Sequence, residues 1–239
     1  RYNYVGTRSE KYCYVRLTTD EEWPRLVIAK TPSSKGISLG PMTTKGMARD
    51  VVDAIESVVP LRRCTVRMGR NYVAPTDAPV CSAARLGLAE CPCSGSADAN
   101  MYGVIVDTVV RTLNGDAEEV VALLTNRMTV HSQNQRFEEA AFVRDRIDAL
   151  GRALQRQSQA NALRDGGLQD ITHEGFVYRI DQGVLVETLS SGEVCKPETI
   201  NLPKKFEHLR AVLHVPANES PTDVIDEVMC MARLVSSLC

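Results

Sequence analysis

The spacing of apolar positions along the chain changes several times, and each change marks an element. Near the start, Tyr12–Leu17 and Arg25–Ala29 read as strands, with Asp20-Glu21-Glu22 as the turn between them. From Lys45 the spacing lengthens to three and four. Met47, Val51, Val52, Ile55 and Val58 form the apolar face of a helix over Lys45–Val59, which Thr43 or Thr44 can cap and Pro60 stops. A small β-hairpin-plus-helix unit is the expected product. Tyr102–Leu113 is a further helix, closed by Asn114-Gly115.

Two more helical stretches follow. Asp116–Val130 carries Val120, Val121, Leu123, Leu124 and Met128 at helical spacing. Residues 136–150 form a charged helix with a thin apolar seam of Phe137, Ala140, Ala141, Val143, Ile147 and Leu150. Glu138 and Glu139 occupy its first turn, where the helix dipole favours negative charge. The polar connector His131–Arg136 makes the pair an αα-hairpin, and so thin a seam needs further packing. Gln157–Arg164 continues the second helix until Asp165-Gly166-Gly167 breaks it. The strands Phe176–Ile180 and Val184–Leu189 are then joined by Asp181-Gln182-Gly183, and a closing helix starts at Ser220-Pro221 with Val224, Ile225, Val228 and Met229 apolar. The fold class is α+β. Its expected segments are 1–60 (strands and helix), 61–100 (basic and cysteine-rich), 101–165 (helical, with the hairpin at about 116–155) and 166–239 (a small α+β module).

Composition narrows the class. The chain has 239 residues, 44% hydrophobic and 24% charged, which is ordinary for a folded protein, and its length points to two or three small units. No apolar run reaches the ~20 residues of a membrane helix, and no signal peptide precedes the first strand, so a cytoplasmic location is expected. The first residues are Arg1-Tyr2-Asn3 with no Met, which points to a piece of something longer.

Charge is uneven, at a net +5 over residues 1–93 and −7 beyond them. Arg62, Arg63, Arg67 and Arg70 cluster with no acid between them, a patch able to neutralise phosphates. Beside it lie four of the eight cysteines, Cys64, Cys81, Cys91 and Cys93, spaced C-x16-C-x9-C-x-C. Four thiols in a reducing compartment are better explained by a metal than by disulfides, and both zinc and an iron–sulfur cluster can take four cysteines. The spacing fits no common zinc-finger template, and unligated thiols are the alternative. Cys13, Cys195, Cys230 and Cys239 are scattered.

Phe137-Glu138-Glu139-Ala140-Ala141 followed by Arg144-Asp145-Arg146-Ile147 resembles the UVR motif of the bacterial excision-repair proteins UvrB and UvrC. The resemblance implies a hairpin that docks onto a UvrB-like partner through Phe137, Glu138, Ala141, Arg144, Asp145 and Ile147. Leu39-Gly40-Pro41, a helix, and Pro60-Leu61-Arg62-Arg63-Cys64 look like the UvrC run of Phe-Gly-Pro, helix and Pro-Leu-Arg-x-Cys. Cys81 through Leu86-Gly87 to Pro92-Cys93-Ser94-Gly95 is similar to the UvrC cysteine loop, which implies a [4Fe–4S] cluster there, with zinc or no metal as alternatives. One departure stands out, since the family's third cysteine falls at Ala89 and the nearest thiol is Cys91.

Arg1-Tyr2-Asn3 resembles the end of a GIY-YIG nuclease domain, so of that catalytic set Asn3 alone carries over, and this chain by itself is expected not to cut DNA. Asp170, Asp181 and Glu187 could be imagined as the carboxylates of the RNase H-like nuclease that follows in full UvrC, but scattered surface acids are the better reading. The tail is more similar to shorter UvrC homologues, such as those fused to a DEDD-type exonuclease. The expected function is a UvrC-like excision-repair fragment that binds UvrB and DNA, with no small-molecule substrate and no membrane. A UVR-type interaction adaptor without a repair role is the second reading, and an enzyme in its own right ranks last.

Overall fold

The computed structural model describes residues 12–33, 36–75, 79–95, 97–173, 175–190 and 225–236. Asn3 and the Ser220-Pro221 helix start lie outside them. The chain divides into two compact units, Lys11–Arg156 and the chain from Gln157 onward.

The first unit is built on a three-stranded antiparallel sheet. Strand β1 (Cys13–Leu17) lies between β2 (Leu26–Ala29) and β3 (Ser38–Met42). Strand β3 is an addition to the expected hairpin, because Gly40-Pro41 reads as a turn. It sits at the sheet edge, where proline's missing N–H is tolerated. Gly40 is required by packing, since a Cβ there would stand 2.6 Å from the Tyr14 ring. Helix α1 (Lys45–Glu56) packs on β1 and β2. The Thr44 hydroxyl caps it by accepting the Met47 N–H at 3.1 Å, and Val51, Val52 and Ile55 face the core with Val15, Leu17, Leu39 and Met42.

After the cysteine segment come α2 (Ser82–Arg85) and a single 3₁₀ turn (Pro92–Ser94). Helix α3 (Ala99–Leu113) starts earlier than the sequence pattern indicates, because the Asp98 carboxylate caps it at the Met101 N–H, 2.9 Å away. Helices α4 (Glu118–Gln133) and α5 (Phe137–Asp165) are joined by three residues. Val120 and Leu124 of α4 and Val143, Leu150 and Ala153 of α5 enter the same core as the sheet and α1, which supplies the packing the thin seam requires. Arg127 fastens α4 to the end of α1, its Nη1 donating to the Ser57 carbonyl at 2.6 Å, where a cation suits a helix C-terminus.

Phe137 is a correction to the expected seam. It is 65% exposed, while Ala140, Val143 and Leu150 are buried and Ile147 half-buried. The buried positions step by three and four from Ala140, and Phe137 falls beside that row, one turn before it.

The second unit holds a meander of β4 (Leu168–His173), β5 (Phe176–Asp181) and β6 (Val184–Ser190). The two-residue turn Gln182-Gly183 has positive φ at both positions, 51° and 82°, the hairpin geometry that matches strand twist. Helix α6 (Ile225–Ser236) contacts β6 and buries Met231 and Ala232 with Leu163 and Ile180. Among the described residues, no helix is long and apolar enough to cross a membrane.

Candidate functional site

Three cysteines, Cys81, Cys91 and Cys93, converge in the first unit, and Cys64 approaches one of them. Cys64 follows α1 by a short turn, Cys81 precedes α2, and Cys91 and Cys93 lie at the 3₁₀ turn. Two bonds draw the segments together. The Glu90 N–H donates to the Pro60 carbonyl at 2.8 Å, and the Arg63 guanidinium to the Leu88 carbonyl at 3.2 Å. The fully buried Leu61 and Cys91 add apolar contact at the junction.

The sulfurs are close. Cys91 Sγ lies 3.1 Å from Cys93 Sγ and 3.5 Å from Cys64 Sγ, and the sulfurs of Cys81, Cys91 and Cys93 all fall within 4.8 Å of one another. Among the described residues, this is the one group of three or more cysteine, histidine or acidic side chains close enough to share an ion. Thiolates held at roughly 2.3 Å around a tetrahedral ion sit about 3.8 Å apart, close to the spacing of these three sulfurs, while the Cys64 sulfur is near that of Cys91 and stands outside the mutually close group. Cys91 belongs to this group, and Ala89, two residues before it, is buried without a thiol to offer.

The thiols also differ in proton affinity. Burial, with the Cys93 and Cys64 thiols beside it, pushes Cys91 far up. Burial also pushes Cys81 up, but the Ala84 and Ala83 N–H groups and the Cys93 and Cys91 thiols outweigh it and hold Cys81 below the ordinary thiol range. Crowded thiols behave this way, one releasing its proton while a neighbour keeps its own. Cys13 is buried in the core and Cys230 is exposed, whereas Cys195 and Cys239 lie outside the described residues.

The four arginines do not form one patch. Arg62 is fully buried, so it cannot touch a phosphate from outside, which corrects its expected DNA-binding role. Its Nη2 pairs with the Glu21 carboxylate and its Nε donates to the Trp23 carbonyl. Its backbone N–H donates to Tyr102 Oη at 3.2 Å, and that hydroxyl donates to the Pro24 carbonyl at 2.5 Å. Arg63 is half-buried and donates to the Glu56 carbonyl at the end of α1. Arg67 and Arg70 are exposed, with Arg67 in a loose surface pair with Asp20 at 3.4 Å. Glu21, Trp23 and Tyr102 are the site residues that the sequence pattern misses. Glu21 reads as a turn acid, and nothing in the local spacing links it to an arginine 41 positions later.

Glu56 yields a pH prediction. Burial raises its carboxyl from 4.5 to about 6, against the lowering effect of Arg63. The folded state then holds this proton more tightly than the unfolded chain does, so stability is lost as pH rises from 4.5 to about 6. Glu56→Gln is expected to stabilise the protein at pH 7 by about 1–2 kcal/mol, reduced by loss of the Arg63 pair, and to give no gain at pH 4. Urea denaturation at the two pH values measures it, and an equal effect at both would contradict it.

On the hairpin, Phe137, Ala141 and Arg144 stand at i, i+4 and i+7 and share one face of α5, with Phe137 and Arg144 exposed. Glu138 and Asp145 are exposed beside them, and Asp145 accepts from Arg144 at 2.8 Å. Ile147 is turned toward the core instead. Phe142, which the sequence pattern does not single out, is 66% exposed. In the second unit, Asp170 and Glu187 flank Arg179, at 2.8 and 2.9 Å. A cation already satisfies these two acids, unlike the crowded carboxylates of a metal-dependent nuclease.

A domain with a converged set of thiols, followed by an exposed helical hairpin, is the class that this geometry defines. Comparison with known proteins makes it specific. Residues 12–112 match the UvrC/Cho excinuclease middle domain, and residues 118–153 match the UvrB/UvrC motif. The UvrABC system protein C of Clostridioides difficile is 30% identical over 160 residues, covering 66% of this chain and 26% of the relative. That of Dictyoglomus thermophilum is 29% identical over 210 residues, 82% of this chain and 34% of the relative. That of Nitratidesulfovibrio vulgaris is 32% identical over 190 residues, 79% and 26% respectively. The chain thus spans about a quarter to a third of the length of these relatives. No solved structure matches. The chain belongs to the UvrC family, carrying that family's middle domain followed by its UVR motif.

Proposed function

We propose that this chain acts in nucleotide excision repair in the cytoplasm, as the part of a UvrC-type subunit that docks onto a UvrB-like protein and holds DNA. The observation that carries this reading is the exposed face of Phe137, Ala141 and Arg144 on a hairpin that belongs to the UVR motif. An aromatic side chain left in water on a charged helix is a natural anchor for a partner's apolar pocket. Phe137→Ala is expected to weaken binding to a UvrB-like protein by ~2 kcal/mol or more. Calorimetric titration measures this, and unchanged affinity would refute the docking surface.

DNA contact falls to Arg67 and Arg70, since both are exposed and neither anchors the fold. The resulting binding is tolerant of sequence and sensitive to salt. Neutralising both is expected to lower the slope of log K against log salt by about 2. A slope equal to that of the parent chain would assign these arginines to solvent.

Cys64, Cys81, Cys91 and Cys93 would hold the cofactor, a [4Fe–4S] cluster by the family resemblance. When bound, such a cluster supplies one-electron redox chemistry and a structural cross-link between loops. The close sulfur spacing favours a single zinc ion as the second reading. Anaerobic purification with an absorption spectrum and metal analysis separates the two, and a colourless chain without iron or zinc would overturn both.

A further inference from the structure

Arg62 does more than fill the core. Its Nη1 faces Cys64, donating to the sulfur at 3.3 Å and to the carbonyl at 3.2 Å, and also to the Val66 carbonyl at 2.9 Å. On the other arm, Nη2 pairs with Glu21 Oε2, which also accepts the Met68 N–H at 2.7 Å. A guanidinium without exposure thus spans from a buried carboxylate to the Cys64 sulfur, which lies 3.5 Å from that of Cys91. Trp23 and Tyr102, whose rings lie 4.8 Å apart, brace the residue, the Trp23 carbonyl accepting from Nε and the Tyr102 hydroxyl from the Arg62 backbone N–H.

We propose that Arg62 is a positioning residue that draws electron density from the Cys64 sulfur of the thiolate metal centre, and that Glu21 sets how much of its charge the sulfur feels. The inference rests on the reading of the four thiols as a metal centre. An N–H from a cation to a thiolate stabilises the more negative state of a centre, and in a buried setting solvent screens this little. Removing the cation therefore disfavours reduction, and removing its counter-charge favours it. The two changes act with opposite signs, although both break the same ion pair. Damage to the fold would instead move both variants the same way.

The test uses the full chain, purified anaerobically, with Arg62→Met, Glu21→Gln and the paired replacement Arg62→Met/Glu21→Met. The paired variant replaces a buried ion pair by apolar side chains and keeps the core packed if Arg62→Met alone does not fold. In iron-loaded protein, the midpoint potential followed by absorption and electron paramagnetic resonance is expected to shift negative in Arg62→Met and in the paired variant, and positive in Glu21→Gln. In zinc-loaded protein, labelling of Cys64 by iodoacetamide, read by mass spectrometry, is expected to speed up in the first two and slow in the third. Metal retained with no shift, or with shifts of one sign throughout, overturns the role of Arg62 alone. A parent chain holding neither metal overturns the metal centre and this inference with it.

Discussion

Glu21→Ala is expected to destabilise the first unit by about 3–5 kcal/mol, because it strips the counter-charge from a guanidinium that has no access to water. Glu21 is itself 8% exposed and holds three groups, namely Arg62, the Met68 N–H and, at 3.8 Å, Arg25. Arg25 can turn to solvent when the carboxylate goes, but Arg62 cannot. Replacing both members of the pair by methionine is expected to cost far less, since no charge is then left stranded. Trp23 is the sole tryptophan of the chain and gives its backbone carbonyl to Arg62, so its fluorescence in urea follows the affected unit. A Glu21→Ala midpoint equal to that of the parent protein would mean that the pair is not closed to water.

This pair also shows where sequence reading stops. Arg62 looks like a member of a basic patch because its neighbours in the chain are arginines. Its environment is set by Glu21 and Tyr102, which lie 41 and 40 positions away and come to it only through the sheet and α3. Helices α1 and α3 were legible because a period near 3.6 and an end signal coincide, as Thr44 and Pro60 bracket α1. The same holds for the β5–β6 hairpin, where Asp181-Gln182-Gly183 interrupts two apolar runs. Strands β3 and β4 were not, and both are edge strands. In Ser38–Met42 the Gly-Pro step imitates a turn, and Leu168–His173 alternates polar residues with only two aliphatic ones. Their pairing with β1 and β5 is a tertiary fact that local pattern does not carry. Phe137 illustrates a milder version, since a seam drawn from letters alone tolerates a neighbour one step off the buried row.

On the proposed metal centre, Cys91→Ser is expected to abolish metal binding and, with it, much of the stability of the cysteine segment. By the family resemblance the third cysteine of the loop would fall at Ala89, and the Cys91 sulfur lies 3.1 Å from Cys93 and 3.5 Å from Cys64. It reaches that point because the Glu90 N–H is pinned to the Pro60 carbonyl and Pro92 starts the 3₁₀ turn at once. The surrounding segment has few other anchors, as Leu86 and Leu88 are exposed and α2 has four residues. A tetrathiolate metal site can supply on the order of 10 kcal/mol to a small unit, and a serine hydroxyl does not replace a thiolate in it. Metal content after gel filtration is expected to fall to near zero in Cys91→Ser and to stay at the parent level in Cys230→Ser, whose thiol is exposed in the other unit. Proteolysis is expected to follow the metal, with cleavage appearing within residues 79–95 of the Cys91 variant. Full metal content in Cys91→Ser would show that three thiols suffice, and the displaced cysteine would then have no part in the centre.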